Sequence, residues 1–227
     1  IPWDDDIDVM MPRKDYIKFL KLYKEKNKEE KYQLDCLDYS KYYWLPFVKI
    51  RNINTVYEES CQKDYRGMKG IWIDIFPIDN TDLDIEENKH FKIWSKVYTI
   101  RNIISLKYNV DSVNWKSNKI KFICKIIGLL PTKLLYKYQT SLMTYCKNDN
   151  SKYILMYCND TNYKKTLMKR KDLFPLKKVK FEDYKFYVPN NYKKLLKGLY
   201  GDYMQLPKEE DRKTHMPINI KLENEDK

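Results

Sequence analysis

Apolar and polar residues alternate along residues 1–11, so that Asp4, Asp6 and Asp8 share one face and Asp5, Ile7 and Val9 the other, the period of a short strand closed by Pro12. From Arg13 the period lengthens. Tyr16, Phe19, Leu20 and Tyr23 recur at helical spacing among lysines, predicting an amphipathic helix over residues 13–28. Aromatic and β-branched stretches at 42–51, 55–59 and 70–78 predict three further strands of a mixed sheet. Between 85 and about 148 the pattern is helical: Phe91, Trp94, Val97 and Tyr98 mark one helix, residues 120–130 a second, and residues 134–146, after Pro131, a third. Residues 153–157 read as a strand and 179–188 as a hairpin broken at Glu182-Asp183. A helix over 192–200 starts behind an Asn190-Asn191 cap and is stopped by Gly201. The sequence therefore predicts an α+β fold, a single domain over 1–217 with a helical insert at about 85–148, and a frayed polar tail over 218–227.

Composition narrows the class without naming it. With 43% hydrophobic and 15% aromatic residues, 227 residues suffice for one sizeable core, which excludes general disorder. Five widely spaced cysteines without a CxxC pair offer neither a disulfide framework nor a zinc knuckle and fit a reducing, cytoplasmic setting. The longest apolar stretch, residues 120–130, is interrupted by Lys121 and Lys125 and falls short of the roughly 20 residues a bilayer demands. The basic, apolar-faced helices over 120–146 are instead expected to make peripheral contact with the inner face of an anionic membrane. A net charge of +12 predicts attraction to polyanions but does not choose among nucleotide phosphates, glycans, membranes and nucleic acid, and the lysines are scattered as a solvated surface would have them.

The chemistry concentrates at the start of the chain. Asp4, Asp5, Asp6 and Asp8 place four carboxylates in five positions, framed by Trp3, Ile7 and Val9. Like charges at that spacing repel unless a cation lies among them, and the cation suited to clustered carboxylates is Mg²⁺ or Mn²⁺, a hard ion that bridges protein oxygens to phosphate. A solvated acidic turn is the plain alternative. A second element, residues 71–79, sets Asp74 in an almost wholly apolar strand, where a carboxylate is costly unless it is paired or binds metal. Asp79, at that strand's end, reads as the start of a turn with Asn80.

The run IPWDDDIDVMMPRKDY resembles the signature of the LicD family, and the chain continues with segments expected in the same order: FVKIRNINTVYEE, GIWIDIFPID, LFPLKKVKFEDYKFYVPNNY, LYGDYMQLP and THMP. The resemblance implies a DNA polymerase β-like nucleotidyltransferase fold, in which an Asp-x-Asp on one strand and an acid on its neighbour hold the metal. Asp6, Asp8 and Asp74 match that catalytic pattern, and Asp4 is a further candidate metal ligand. It also implies a phosphotransferase that passes phosphocholine from CDP-choline, or a related group such as that of CDP-ribitol, to a glycan acceptor, lipid-linked or not: lipopolysaccharide, teichoic acid or capsule. Family members carry a helix and Gly-containing loop ahead of the acidic motif, so the chain is expected to be truncated at its N-terminus.

Four cationic residues are candidates for substrate binding. Lys49 and Arg51, two apart on one predicted strand, can face the same way; Arg13 follows the acidic strand; His215 sits in the closing THMP segment. Each has an alternative reading as an ordinary surface residue. Asp74 is the candidate base for the acceptor hydroxyl, or a ligand only. Among the 21 tyrosines, no stacking or onium-binding set can be picked from the sequence. Two other classes stand beside this reading: an Asp-x-Asp glycosyltransferase using a nucleotide sugar, which lacks its Gly-rich βαβ start here, and a basic nucleic-acid-binding module, which lacks any recognition motif and would meet repulsion from four aspartates. Nucleic acid is accordingly not an expected partner.

Overall fold

Ile71–Thr81 forms an eleven-residue strand paired along both edges, and the rest of the fold is arranged around it. The structure, a computed structural model, describes residues 1–38, 43–59, 67–82, 89–106, 126, 131–158, 163–209, 212, 215 and 217–223. Its first half runs β1 (Asp8–Pro12), α1 (Arg13–Lys26), β2 (Tyr32–Asp35), β3 (Val48–Asn52), β4 (Val56–Glu59) and β5 (Ile71–Thr81). The second half runs α2 (Lys89–Leu106), α3 (Thr132–Met143), β6 (Tyr153–Met156), α4 (Tyr163–Thr166), β7 (Leu167–Lys169), α5 (Arg170–Leu173), β8 (Lys177–Phe181), β9 (Tyr184–Val188), α6 (Tyr192–Tyr200) and β10 (Pro217–Lys221).

The class is α+β. Six strands make a mixed sheet of order β2-β3-β5-β6-β7, with β1 parallel to β5 and the remaining pairs antiparallel. The crossover from β1 carries α1 back over the sheet, and the stripe predicted for it supplies the first core: Tyr16, with Phe19, Leu20 and Tyr23, packs on Leu34, Val48 and Ile75. A second core joins α2, α3 and β6, where Phe91, Trp94, Val97 and Tyr98 meet Leu142, Met143, Leu155 and Tyr157. A third holds Ile78, Ile154, Met168 and Leu173. Among the described residues no helix is long and apolar enough to cross a membrane.

Several expectations change. The strand foreseen at 42–51 begins only at Val48, Tyr42 lying outside the described residues, and β2 was not foreseen because YQLD is short and flanked by charge. The strand at 55–59 forms as β4 but leaves the main sheet to pair with β10. That partner comes from the expected tail: Ile218 and Ile220 alternate with polar residues, and Glu223 accepts hydrogen bonds from Asn52 and Asn54 at 3.3 and 3.2 Å and pairs with Lys31 at 2.7 Å. Residues 224–227 lie outside the description, as does the apolar helix expected over 120–130 apart from Ile126. Asn191 stands at the N-cap position of α6 without capping it; its side chain donates to Asp172 at 3.3 Å.

Gly70 is held where the chain enters β5. A Cβ there would meet the Asn52 carbonyl oxygen at 2.0 Å, so two backbones would have to part. Gly70→Ala is expected to destabilise the protein by about 1–3 kcal/mol, read as a lowered midpoint in urea with an unchanged slope.

Candidate active site

Pairing across the sheet brings the predicted residues into a row. Asp8 lies opposite Asp74 in the β1–β5 register, Asp74 opposite Lys49 in β5–β3, and Lys49 opposite Asp35 in β3–β2, so all four side chains share one face. Lys49 Nζ donates to both oxygens of Asp74 at 2.6 and 2.9 Å, and both residues are buried. The buried carboxylate in an apolar strand is thus explained first by a lysine.

The segment ahead of β1 is bent rather than extended. The strand expected from residue 1 begins at Asp8, opposite Asp74 of β5, where the Asp74 N–H reaches the Ile7 carbonyl at 3.2 Å. Asp4 and Asp6 therefore join Asp8 through a turn and not through strand alternation. One carboxylate oxygen from each of Asp4, Asp5 and Asp6 lies within 4.8 Å of the others. Asp5, expected to face away, is turned back and held by His215, whose backbone N–H donates to it at 2.9 Å and whose Nδ1 stands 3.1 Å from it. The same imidazole places Nε2 3.9 Å from Asp6, and Tyr57 of β4 donates its hydroxyl proton to the His215 carbonyl.

The electrostatics are those of a site with excess negative charge. Burial, then the charges of Asp6, Asp74 and Asp4, push the Asp8 carboxyl up from 3.8 to about 7, with Lys49 opposing. Burial and Asp6 also raise Asp4. Lys49 is lowered by burial despite Asp74. Burial would lower His215, but its bond to Asp5 and the nearby charges of Glu59, Asp5 and Asp6 raise it overall. Burial would raise Asp5, yet the His215 N–H and ring hold it low. An all-oxygen donor set suits a hard divalent cation; Asp4, Asp5 and Asp6 offer the grouped oxygens, and the Asp8 carboxyl is destabilised by the charges of Asp6 and Asp4 beside it.

Two predicted cations do not reach this row's acidic end. Arg51 is 1% exposed and its guanidinium is spent on Asp35 at 2.7 Å and the Gly70 carbonyl at 2.7 Å, stacked on Trp72. Its donors are committed to buried partners away from the acidic cluster. Arg13 follows β1, and because β1 and β5 are parallel it falls beside Asp79, which it grips at 2.7 and 2.5 Å, about 16 Å along the strand from Asp8. Asp79 is correspondingly buried within β5 instead of opening a turn. A cleft of about 580 Å³ lined by Arg13, Asp79, Lys147 and Arg170 occupies that far end and does not contain the acidic cluster.

Three neighbours were not assigned to the site from the sequence. Glu59, at the end of β4, bears on Lys49 and His215. Trp3 donates its indole N–H to the Tyr203 carbonyl at 2.9 Å, and Tyr200, the last residue of α6, sets its ring 6.0 Å from that of Trp3 at 89°. Burial and the carboxylates of Asp4, Asp8 and Asp6 push the Tyr200 phenol up to about 12. Local pattern shows residues 199–203 only as a helix end; their approach to residue 3 is a long-range contact without a local signal.

Residues 1–120, which supply Asp4 to Asp8, Lys49 and Asp74, match the family model "LicD/FKTN/FKRP, nucleotidyltransferase domain". The chain belongs to the LicD family. A relative from Haemophilus influenzae, the lipopolysaccharide cholinephosphotransferase LicD, is 28% identical over 225 residues, covering 95% of this chain and 79% of its own. No solved structure matches the chain. The LicD-family match ends before the helical hairpin of α2 and α3 is complete, whereas the similarity to the Haemophilus protein extends through Tyr200 and His215.

Proposed function

We propose that this LicD-family phosphotransferase moves phosphocholine from a CDP-linked donor onto a surface glycan, lipopolysaccharide first among the candidates. The observation that carries the proposal is the carboxylate cluster leading into β1, with Asp8 opposite the Asp74–Lys49 pair of β5 and β3, in a chain similar over 95% of its length to a lipopolysaccharide cholinephosphotransferase. Teichoic acid and capsule are the alternative acceptors, a CDP-activated polyol the alternative donor, and the fold is read as DNA polymerase β-like. A place at the inner face of the membrane follows from a lipid-linked acceptor.

Asp4, Asp6 and Asp8 would hold Mg²⁺ or Mn²⁺, which when bound neutralises charge on the donor diphosphate. The protein's own groups do the rest. Lys49, whose ammonium donates to both oxygens of Asp74, turns to a phosphate oxygen of the more highly charged donor diphosphate when it binds. Asp74, so released, accepts the proton of the attacking glycan hydroxyl. The hydroxyl oxygen bonds to the phosphorus that bears choline, the bond from that phosphorus to the CMP oxygen breaks, and CMP leaves with its electron pair. His215 pins Asp5 and stands ready to donate to a phosphate or the acceptor.

Two measurements test this. Incubation of the protein with CDP-choline, Mg²⁺ and lipopolysaccharide is expected to add a phosphocholine mass to the glycan; addition only from CDP-ribitol or CDP-glycerol would move the reading to a different alcohol, and addition from no CDP donor would refute it. Millimolar Mg²⁺ is expected to raise the melting temperature of the wild-type protein by several degrees, as binding to the folded state alone requires, and to leave Asp6→Asn unshifted; an equal shift in both would place the ion elsewhere.

A further inference from the structure

We propose that Trp3 and Tyr200 form the subsite for the quaternary ammonium of the donor's choline. The proposal rests on the phosphocholine reading and deepens it by naming the residues that select the alcohol.

The two rings stand at a right angle with centroids 6.0 Å apart, Trp3 anchored by its bond to Tyr203 and Tyr200 by the end of α6. They are not a buried core pair: Tyr200 is 43% exposed, and α6 contains no buried residue. Trp3 directly precedes Asp4, and Asp4, Asp6 and Asp8 all act on Tyr200, so the aromatic corner and the carboxylates border the same space. A trimethylammonium group has no N–H to donate, and its single charge is spread over too large a volume to compete with Mg²⁺ for a carboxylate cluster. What binds it is the negative face of an aromatic ring inside a negative field. This corner offers both, beside the aspartates proposed to bind the donor.

The exposed aromatic cluster of the β8–β9 hairpin lacks the field. Phe181, Tyr184, Phe186 and Tyr187 of the β8–β9 hairpin are interleaved with Lys177, Lys178, Lys180 and Lys185, which repel a cation. A neutral polyol such as ribitol or glycerol would gain nothing from the Trp3–Tyr200 corner, so the pair sets specificity and not only affinity.

The test is calorimetry on the Mg²⁺-loaded protein with CDP-choline, CDP-glycerol and CMP, for wild type, Tyr200→Leu and Tyr200→Phe. Tyr200→Leu is expected to weaken CDP-choline about 3- to 30-fold, the worth of one cation–π contact, while CDP-glycerol and CMP change little. Tyr200→Phe, which keeps the ring, is expected to stay within a few-fold of wild type. Equal weakening of all three ligands, or none, would overturn the subsite. Binding needs no turnover, so the two readings separate: choline-selective loss in Tyr200→Leu without CMP release from wild type would support the subsite against the transferase, and CMP release indifferent to Tyr200→Leu would overturn the subsite alone.

Discussion

Asp8→Asn is expected to remove phosphotransfer and, in the absence of metal, to raise the melting temperature. The two effects have one cause. Burial and the charges of Asp6, Asp74 and Asp4 hold the Asp8 carboxyl at about 7, far above its ordinary 3.8, so ionising it works against the folded state. A group with a raised folded pKa favours the fold below its unfolded pKa and loses that contribution as pH rises through the folded one. The stability advantage of the variant over wild type is therefore expected to be small near pH 4, to grow through pH 7, and to shrink when Mg²⁺ is added. Activity pays the other way: loss of a charged oxygen from the site that stabilises the transferring phosphate is expected to cost about 10³-fold or more in kcat/KM. A variant that keeps its activity, or that melts lower than wild type at pH 7 without metal, would place Asp8 outside the strained centre.

Arg51→Met is expected to cost about 3–5 kcal/mol of stability without acting on chemistry, because it removes one partner of a buried ion pair. Arg51 and Asp35 are 1% and 0% exposed, paired at 2.7 Å, and Arg51 also ties Gly70 to the sheet. For a chain of this length the loss corresponds to roughly 10 °C in melting temperature. The double variant Arg51→Met, Asp35→Leu is expected to recover most of it, since two apolar groups remove both buried charges together. At a permissive temperature the single variant is expected to retain the donor KM; a raised KM with unchanged melting would restore Arg51 to the substrate site.

The difference between Arg51 and Lys49 shows what the sequence carried. Spacing put both on one face of a strand, and they do share it; only the identity of β2, whose Asp35 claims Arg51, separates the structural cation from the one beside Asp74. A four-residue strand without strong alternation leaves no signal for that. The partner of Arg13 was hidden for a related reason: the parallel register of β1 and β5, invisible locally, sets it beside Asp79. Elements whose periodicity is self-contained came through well, α1 and α6 within two residues and Phe91, Trp94, Val97 and Tyr98 as one buried stripe. The tail and the Trp3–Tyr200 corner depend on contacts across some 160 to 200 residues, Tyr57 to His215 and Trp3 to Tyr203, and emerged only in three dimensions.

The central claim is that the carboxylates at and just ahead of β1 run a metal-dependent transfer, and its most direct test is CMP release from CDP-choline with lipopolysaccharide as acceptor, with and without Mg²⁺, by wild type, Asp6→Asn and Asp8→Asn. Release by wild type that requires the metal and disappears in both folded variants is the predicted result; release that survives chelation or either substitution would contradict it.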